Sequence, residues 1–271
     1  MRIPTELKGI THGRVVRFAR VPGFWLTDVS YPPGARYHRH SHEYGYICFV
    51  LCGGFSERVG RATIEVESTT VVVMPRGQAH ENRIGPHSTR SLVIAHDPEH
   101  ERLSPTWAHI GNHPQWITRG APLHLLFRIY RSFEMLGGTE SFTVEELLFE
   151  LLDAIDERIS LTAESESLTP VIEFLHEGFC SSVDLQGLAE LVDWDPAYLC
   201  RAFRRRFGCT IGQYVRELRA RKAIHLAALT EIPLSDIAAA CGFADQSHMT
   251  RIVTALIGMP PATYRRLVGT H

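Results

Sequence analysis

Asp195-Pro196-Ala197-Tyr198-Leu199-Cys200-Arg201-Ala202-Phe203-Arg204-Arg205-Arg206-Phe207-Gly208 is the stretch whose reading decides the fold. Fifty positions later the chain answers it: Arg201-Ala202-Phe203 corresponds to Arg251-Ile252-Val253. Phe207-Gly208-Cys209-Thr210 and Tyr214 correspond to Ile257-Gly258-Met259-Pro260 and Tyr264. A short apolar-periodic segment precedes each copy, Leu185-Gln186-Gly187-Leu188-Ala189 in the first and Leu234-Ser235-Asp236-Ile237-Ala238 in the second. Asp195 reads as an N-cap with Pro196 at the first helical position. Each copy therefore predicts a short helix, a tight turn and a second helix, a shape that can set a helix into a DNA major groove. Two such units imply a grip on two consecutive turns of duplex.

Helical spacing sorts the side chains of the first unit. Leu199, Ala202 and Phe203 share one face and should meet Leu188, Ala189 and Val192 of the preceding helix. Tyr198, Arg201 and Arg205 share the opposite face, with Arg204 beside them. Such a face supplies phosphate neutralisation and donors for base edges. A solvated Arg-rich helix would look the same in isolation; the repetition argues against that plainer reading. In the second unit Gly242-Phe243 supplies the turn. A helix from Asp245 to about Leu256 should bury Met249, Ile252 and Val253 and expose Gln246, Ser247, His248, Thr250 and Arg251. Thr254-Ala255-Leu256 stands where the first copy has Arg204-Arg205-Arg206, so the second copy should attract phosphate less strongly. Tyr214 to Leu229 predicts one long connecting helix that carries Arg216, Arg219, Arg221 and Lys222. The candidate DNA-contacting residues are thus Ala197, Tyr198, Arg201, Arg204, Arg205, Gln246, Ser247, His248 and Arg251.

From about Leu168 to Val268 the chain resembles the DNA-binding domain of the AraC/XylS family of bacterial transcription regulators. The resemblance is carried by Leu188-Ala189, Tyr198-Leu199, Arg201, Phe203, Phe207-Gly208, Arg219, Ala223, Ile237-Ala238, Cys241-Gly242-Phe243, Asp245-Gln246-Ser247-His248, Arg251, Gly258, Pro260-Pro261 and Tyr264-Arg265. It implies an all-α double helix-turn-helix, a double-stranded DNA partner and RNA polymerase as a further partner at a promoter. Two departures stand out. Asp193 occupies the first turn where the family carries Gly, and Val253-Thr254-Ala255 stand where it carries Phe followed by a basic residue.

Residues 1 to about 97 read differently. Short runs rich in Val, Ile, Phe and Tyr alternate with Pro22-Gly23, Pro32-Pro33-Gly34, Gly53-Gly54, Pro75-Arg76-Gly77 and Gly85-Pro86, the pattern of a sandwich or barrel. His40 and His42 are two apart and share a strand face; His80, on a later strand, can close on the same spot. Three converging imidazoles suit a divalent transition metal, Zn, Ni, Fe or Cu. The plainer alternative is a polar lining that hydrogen-bonds an organic effector. The spacing resembles the two motifs of the cupin barrel, which implies a sensor domain joined to the regulator. That pattern expects a Glu as fourth ligand where Tyr46 and Ile47 stand, and a Gly where Thr69 stands. Glu57 is the one nearby carboxylate able to reach in. Tyr44, Tyr46, Cys48 and Val50 are the other barrel-lining candidates, with Tyr44 and Tyr46 assigned to an effector pocket.

The helical period takes over at Pro122, through Leu123, Leu126, Phe127, Tyr130 and Phe133, and stops at Gly137-Gly138. A second helix opens at Thr143, with Glu146 closing a capping box. These helices either pack on the barrel or lend a face to a homodimer. Thr162-Ala163-Glu164-Ser165-Glu166-Ser167 reads as the linker. The reading is α+β and multidomain: a cupin-like effector or metal-binding domain over 1–100, a helical linker and dimerisation segment over 101–164, and the double helix-turn-helix over 165–271.

Bulk properties constrain the rest. With 271 residues, 44% hydrophobic, 21% charged and a net charge of −2, the chain is ordinary globular protein, so any affinity for DNA rests on local Arg clusters. No apolar run approaches a membrane span, and Met1-Arg2-Ile3-Pro4-Thr5-Glu6 lacks a signal-peptide core, so cytoplasmic residence is the default. Six cysteines without CxxC spacing are expected to be reduced; Cys48 and Cys52, four apart, are expected on one strand face. The function expected is a non-enzymatic, sequence-specific transcription regulator whose barrel senses a small molecule or metal ion. The competing reading is a metal-dependent cupin enzyme with a DNA-binding appendage; the missing Glu argues against it. A purely architectural DNA binder leaves the barrel and its histidines unexplained.

Overall fold

Turn residues every few positions cut the first part of the chain into strands too short to act alone, so they bury their apolar faces against one another. The computed structural model describes residues 11–97, 107, 112–135, 141–161 and 168–269, and the chain divides into two units, Met1–Ser160 and Leu161–Gly269. The stop at Gly137-Gly138 and the linker at 162–167 lie outside the described residues.

In the first unit the strands are β1 (Arg14–Val21), β2 (Phe24–Tyr31), β3 (Arg36–His40), β4 (Tyr46–Cys52), β5 (Gly54–Val59), β6 (Ala62–Glu67), β7 (Val71–Met74), β8 (His80–Ile84), β9 (Thr89–His96) and β10 (Gln115–Ile117). They form two antiparallel sheets, β1-β2-β9-β4-β7-β10 and β3-β8-β5-β6. Alternate residues of the first, Trp25, Val29, Tyr46, Cys48, Val50, Val72, Met74 and Val93, meet Phe55, Val66 and Ile84 of the second in one core. β10 falls within the stretch expected to be helical and extends the larger sheet through β7.

β4 is buried along its whole length, because both of its faces are covered. Tyr46, Cys48 and Val50 point between the sheets. Phe49 meets Phe127 edge-on at 4.9 Å, on helix α1 (Ala121–Met135). A buried Asp28 anchors the same helix: it accepts from the Tyr130 hydroxyl at 3.2 Å and pairs with Arg90. Helix α2 (Ser141–Leu161) starts two residues before the predicted opening at Thr143 and buries Leu147, Leu148, Leu151, Leu152 and Ile155. A bulge between Val50 and Cys52 breaks the alternation of β4. Cys52 consequently leaves the Cys48 face and does not join the core between the sheets, contrary to the simple period-two expectation.

The second unit is helical: α3 (Thr169–Gly178), α4 (Leu185–Glu190), α5 (Pro196–Phe207), α6 (Ile211–Leu229), α7 (Leu234–Ala240), α8 (Gln246–Ile257) and α9 (Pro261–Val268). Helix α6 is the spine. Its first half (Ile211, Tyr214, Val215, Leu218) shares a core with α3, α4 and α5, and its second half packs against α7, α8 and α9. The spine starts at a capping box: Thr210 Oγ1 accepts from the Gln213 amide at 3.2 Å and Gln213 Oε1 accepts from the Thr210 amide at 2.8 Å.

Among the described residues, two without a glycine's freedom take a positive φ, Thr69 at 65° and Asp193 at 53°. Both stand where the resemblances noted above call for Gly. The backbone path is kept, and the left-handed turn is imposed on a side chain that disfavours it.

Candidate functional site

The two halves of the C-terminal unit repeat one device. Asp195 caps α5 by accepting from the Ala197 and Tyr198 amides at 3.0 and 3.1 Å; Asp245 caps α8 by accepting from the His248 amide at 2.7 Å. Gly208 and Gly258 end the two helices in left-handed conformation, at φ 67° and 74°. On α5, Leu199, Ala202 and Phe203 are buried, while Ala197, Tyr198, Arg201, Arg204 and Arg205 are exposed. The Tyr198 ring leans edge-on against Trp194 at 5.0 Å and lies 5.9 Å beneath the Arg205 guanidinium. These contacts hold an aromatic and a cation together on the open face. On α8, Met249 and Val253 are buried and Gln246, Ser247 and Arg251 exposed. His248, expected to be exposed, is half-buried because its ring packs edge-on against Phe243 at 5.4 Å. Ile252, expected in the core, is also half-buried.

Arg219 of α6 joins the two halves. Its Nε donates to the Phe179 carbonyl, Nη1 to that of Gly242 and Nη2 to that of Ser181, each at 2.7 Å. One side chain thus ties the segment after α3 to the turn between α7 and α8. Gly242 in that turn has φ 76°, and a Cβ there would lie 2.2 Å from the Cys180 carbonyl oxygen. Arg265 plays a similar part, donating to the Ala227 and Ile232 carbonyls at 3.0 and 2.7 Å. These two arginines spend their donors on backbone, whereas Arg201, Arg204 and Arg205 of α5 are exposed.

The first unit holds a second candidate site. β3 and β8 pair with His40 directly opposite His80. Their ring centroids are 4.4 Å apart, and His42 lies 5.0 Å from His40 and 5.3 Å from His80. His42 has already left the strand for the following turn, so its approach comes from the turn and not from a shared strand face. The predicted trio therefore converges, joined by His12, a residue no motif spacing pointed to: it precedes β1 and packs against His40 at 4.4 Å. One ring nitrogen from each of His12, His40 and His42 lies within 4.8 Å of the other two. His80 is engaged differently. Its Nδ1 donates to the Gln78 carbonyl at 2.9 Å, leaving Nε2 to accept from the Tyr46 hydroxyl at 3.3 Å. Burial lowers the pKa of both His12 and His80, and the neighbouring imidazoles add to the effect.

These histidines edge a cavity of about 50 Å³, lined also by Tyr31, Tyr37, Tyr46, Cys48, Glu57 and Asn82. A single water needs about 10–15 Å³ on the same measure, so the space suits an ion with a few waters or a very small molecule. Glu57 reaches the cavity as its strand position allowed. Its two oxygens accept from Asn82 Nδ2 at 3.1 Å and Trp116 Nε1 at 2.8 Å, and burial raises its pKa against those two bonds. Tyr44, assigned to the pocket with Tyr46, is not among the lining residues. β4 begins only at Tyr46, so the alternation does not extend back to residue 44, and its ring packs edge-on against Trp25 at 5.2 Å.

Residues 188–267 match the family model of a helix-turn-helix domain. Over 112 residues the chain is 33% identical to the uncharacterized HTH-type transcriptional regulator YbfI of Bacillus subtilis, which covers 39% of this chain and 40% of that protein. Over 106 residues it is 31% identical to the HTH-type transcriptional activator RhaR of Cronobacter sakazakii, covering 39% and 38%. The chain thus spans about two fifths of the length of these relatives. A solved transcriptional regulator with an AraC-type DNA-binding domain, from Chromobacterium violaceum, is 22% identical over 38% of this chain and 93% of that one, with a TM-score of 0.37. The C-terminal unit contains a helix-turn-helix domain. Among the described residues no helix is long and apolar enough to cross a membrane.

Proposed function

We propose that this chain is a sequence-specific DNA-binding regulator of transcription, with α5 and α8 as its two reading helices and the cavity of the first unit as the seat of a small-molecule or metal effector. The observation that carries the reading is the repeated, Asp-capped helix with a buried apolar face and an open polar one, held twice on a single spine helix. Tyr198, Arg201, Arg204 and Arg205 supply phosphate contacts and base-edge donors from α5, and Gln246, Ser247 and Arg251 do so from α8. The protein works as a homodimer joined through the helical segment of the first unit, where Phe149 is exposed, and RNA polymerase is its partner at the promoter. The small cavity favours an ion or a compact polar molecule over a bulky organic effector.

Selection of bound sites from random duplex, followed by footprinting, tests the reading. A preferred site protected over two adjacent major grooves, about 34 Å apart, is expected. Protection of one turn only, or binding without sequence preference, overturns the two-helix model.

A further inference from the structure

The cluster at the mouth of the first unit's cavity holds four imidazoles, and they are not equivalent. Both ring nitrogens of His80 are engaged, one by the Gln78 carbonyl and one facing the Tyr46 hydroxyl. The Glu57 oxygens accept from Asn82 and Trp116. His40 is arranged as metal-binding histidines commonly are: its Nδ1 donates to a backbone carbonyl, that of His38, at 2.7 Å, and its Nε2 remains the nitrogen with a lone pair. The His12 ring stands at 86° to that of His40, and the His42 ring at 88° to it. One ring nitrogen from each of His12, His40 and His42 lies within 4.8 Å of the other two. We propose that His12, His40 and His42 form a divalent transition-metal site, with His80 and Tyr46 behind it as positioning groups and the fourth coordination place open to water or an effector.

The distances suit this assignment. Zinc–nitrogen bonds of about 2.0–2.1 Å put two tetrahedral ligand nitrogens about 3.3 Å apart. The three nitrogens now lie within 4.8 Å, so small side-chain rotations of the exposed His12 and half-buried His40 complete the set. Three neutral nitrogen donors and no carboxylate select zinc, cobalt, nickel or copper over magnesium or calcium, which require oxygen. The ligand set differs from the one the spacing predicts, since His12 replaces His80. The proposal deepens the sensor reading of the first unit, and metal binding is measured apart from DNA binding, so either can fail alone.

The test uses the full chain, stripped with chelator and titrated at neutral pH with Co²⁺, followed by its visible absorption, and with Zn²⁺ in competition. Wild type is expected to take up one equivalent with the intense absorption of tetrahedral cobalt. His12→Ala and His42→Ala should each weaken binding by more than about a hundredfold, while His80→Gln, outside the ligand set, costs no more than about 10–100-fold; melting curves establish that each variant is folded. Failure of wild type to bind either metal overturns the site. Wild-type affinity in His12→Ala overturns the ligand assignment, as does a loss in folded His80→Gln equal to that in His12→Ala.

Discussion

Replacing Asp193 by Gly should strengthen the C-terminal unit, and replacing it by Val should weaken it. Asp193 is exposed and lies between α4 and α5 at φ 53°. Its amide donates to the Glu190 carbonyl at 3.3 Å, and the next amide, of Trp194, donates to that of Ala189 at 3.0 Å. Glycine would keep both bonds. Left-handed backbone costs an L-residue about 1–2 kcal/mol, with Asp toward the low end. Glycine removes that cost but returns about 0.4–1 kcal/mol through the greater freedom of its unfolded chain. The net gain is about 0.5 kcal/mol, roughly a twofold shift in the opening equilibrium. Valine is β-branched and bears the full left-handed penalty, so about 1 kcal/mol is lost and opening rises roughly fivefold. Amide exchange of peptides covering α4 and α5 reads both, with peptides from the first unit as internal reference. Faster exchange in Asp193→Gly, or unchanged exchange in Asp193→Val, would refute the claim that this turn is strained. Gly242→Ala gives the opposite contrast: the added carbon meets the Cys180 carbonyl oxygen at 2.2 Å, so it must cost more than Asp193→Ala.

Three further outcomes are expected. Asp28→Ala leaves Arg90, whose side chain is only 16% exposed, without its bidentate partner, and should lower stability by about 3–5 kcal/mol, read as a fall in melting temperature; a shift no larger than that of a surface variant argues against the pair's role. Removing Arg204 and Arg205 together should flatten the salt dependence of DNA binding by about two units, against about one for Arg251→Ala, since each phosphate contact contributes about one; equal changes would show that the two helices share the electrostatic load. Burial pushes Cys48 up to about 12 and Cys52 and Cys241 up to about 11, against an ordinary value of 9.0. A raised folded-state pKa stabilises fully below pH 9 and is lost as pH climbs toward 11–12, so the three thiols should resist alkylation at pH 8 and stability should fall above pH 9. Exposed Cys180 and Cys200 should react first in a mass-spectrometric time course, and modification of Cys48 at their rate would contradict the burial.

The helical unit was legible in the sequence because its signals are local. An Asp before a Pro, a Gly fifty positions from its counterpart and a period near 3.6 each act within a few residues, so the two capped helices and their open faces follow from the chain alone. The positive φ values at Thr69 and Asp193 were marked in the same way, by the absence of an expected Gly. The cavity of the first unit was legible only in part. Period-two alternation brought Tyr46 and Cys48 to the right face, but it failed at Tyr44, which precedes the strand, and at Cys52, which follows a bulge, because register is set by the partner strands β7 and β9. The arrival of His12 at His40 and the engagement of Glu57 by Trp116 join residues 28 and 59 positions apart. No local pattern encodes such meetings; sheet order and packing decide them, and with them which imidazoles are left to face one another.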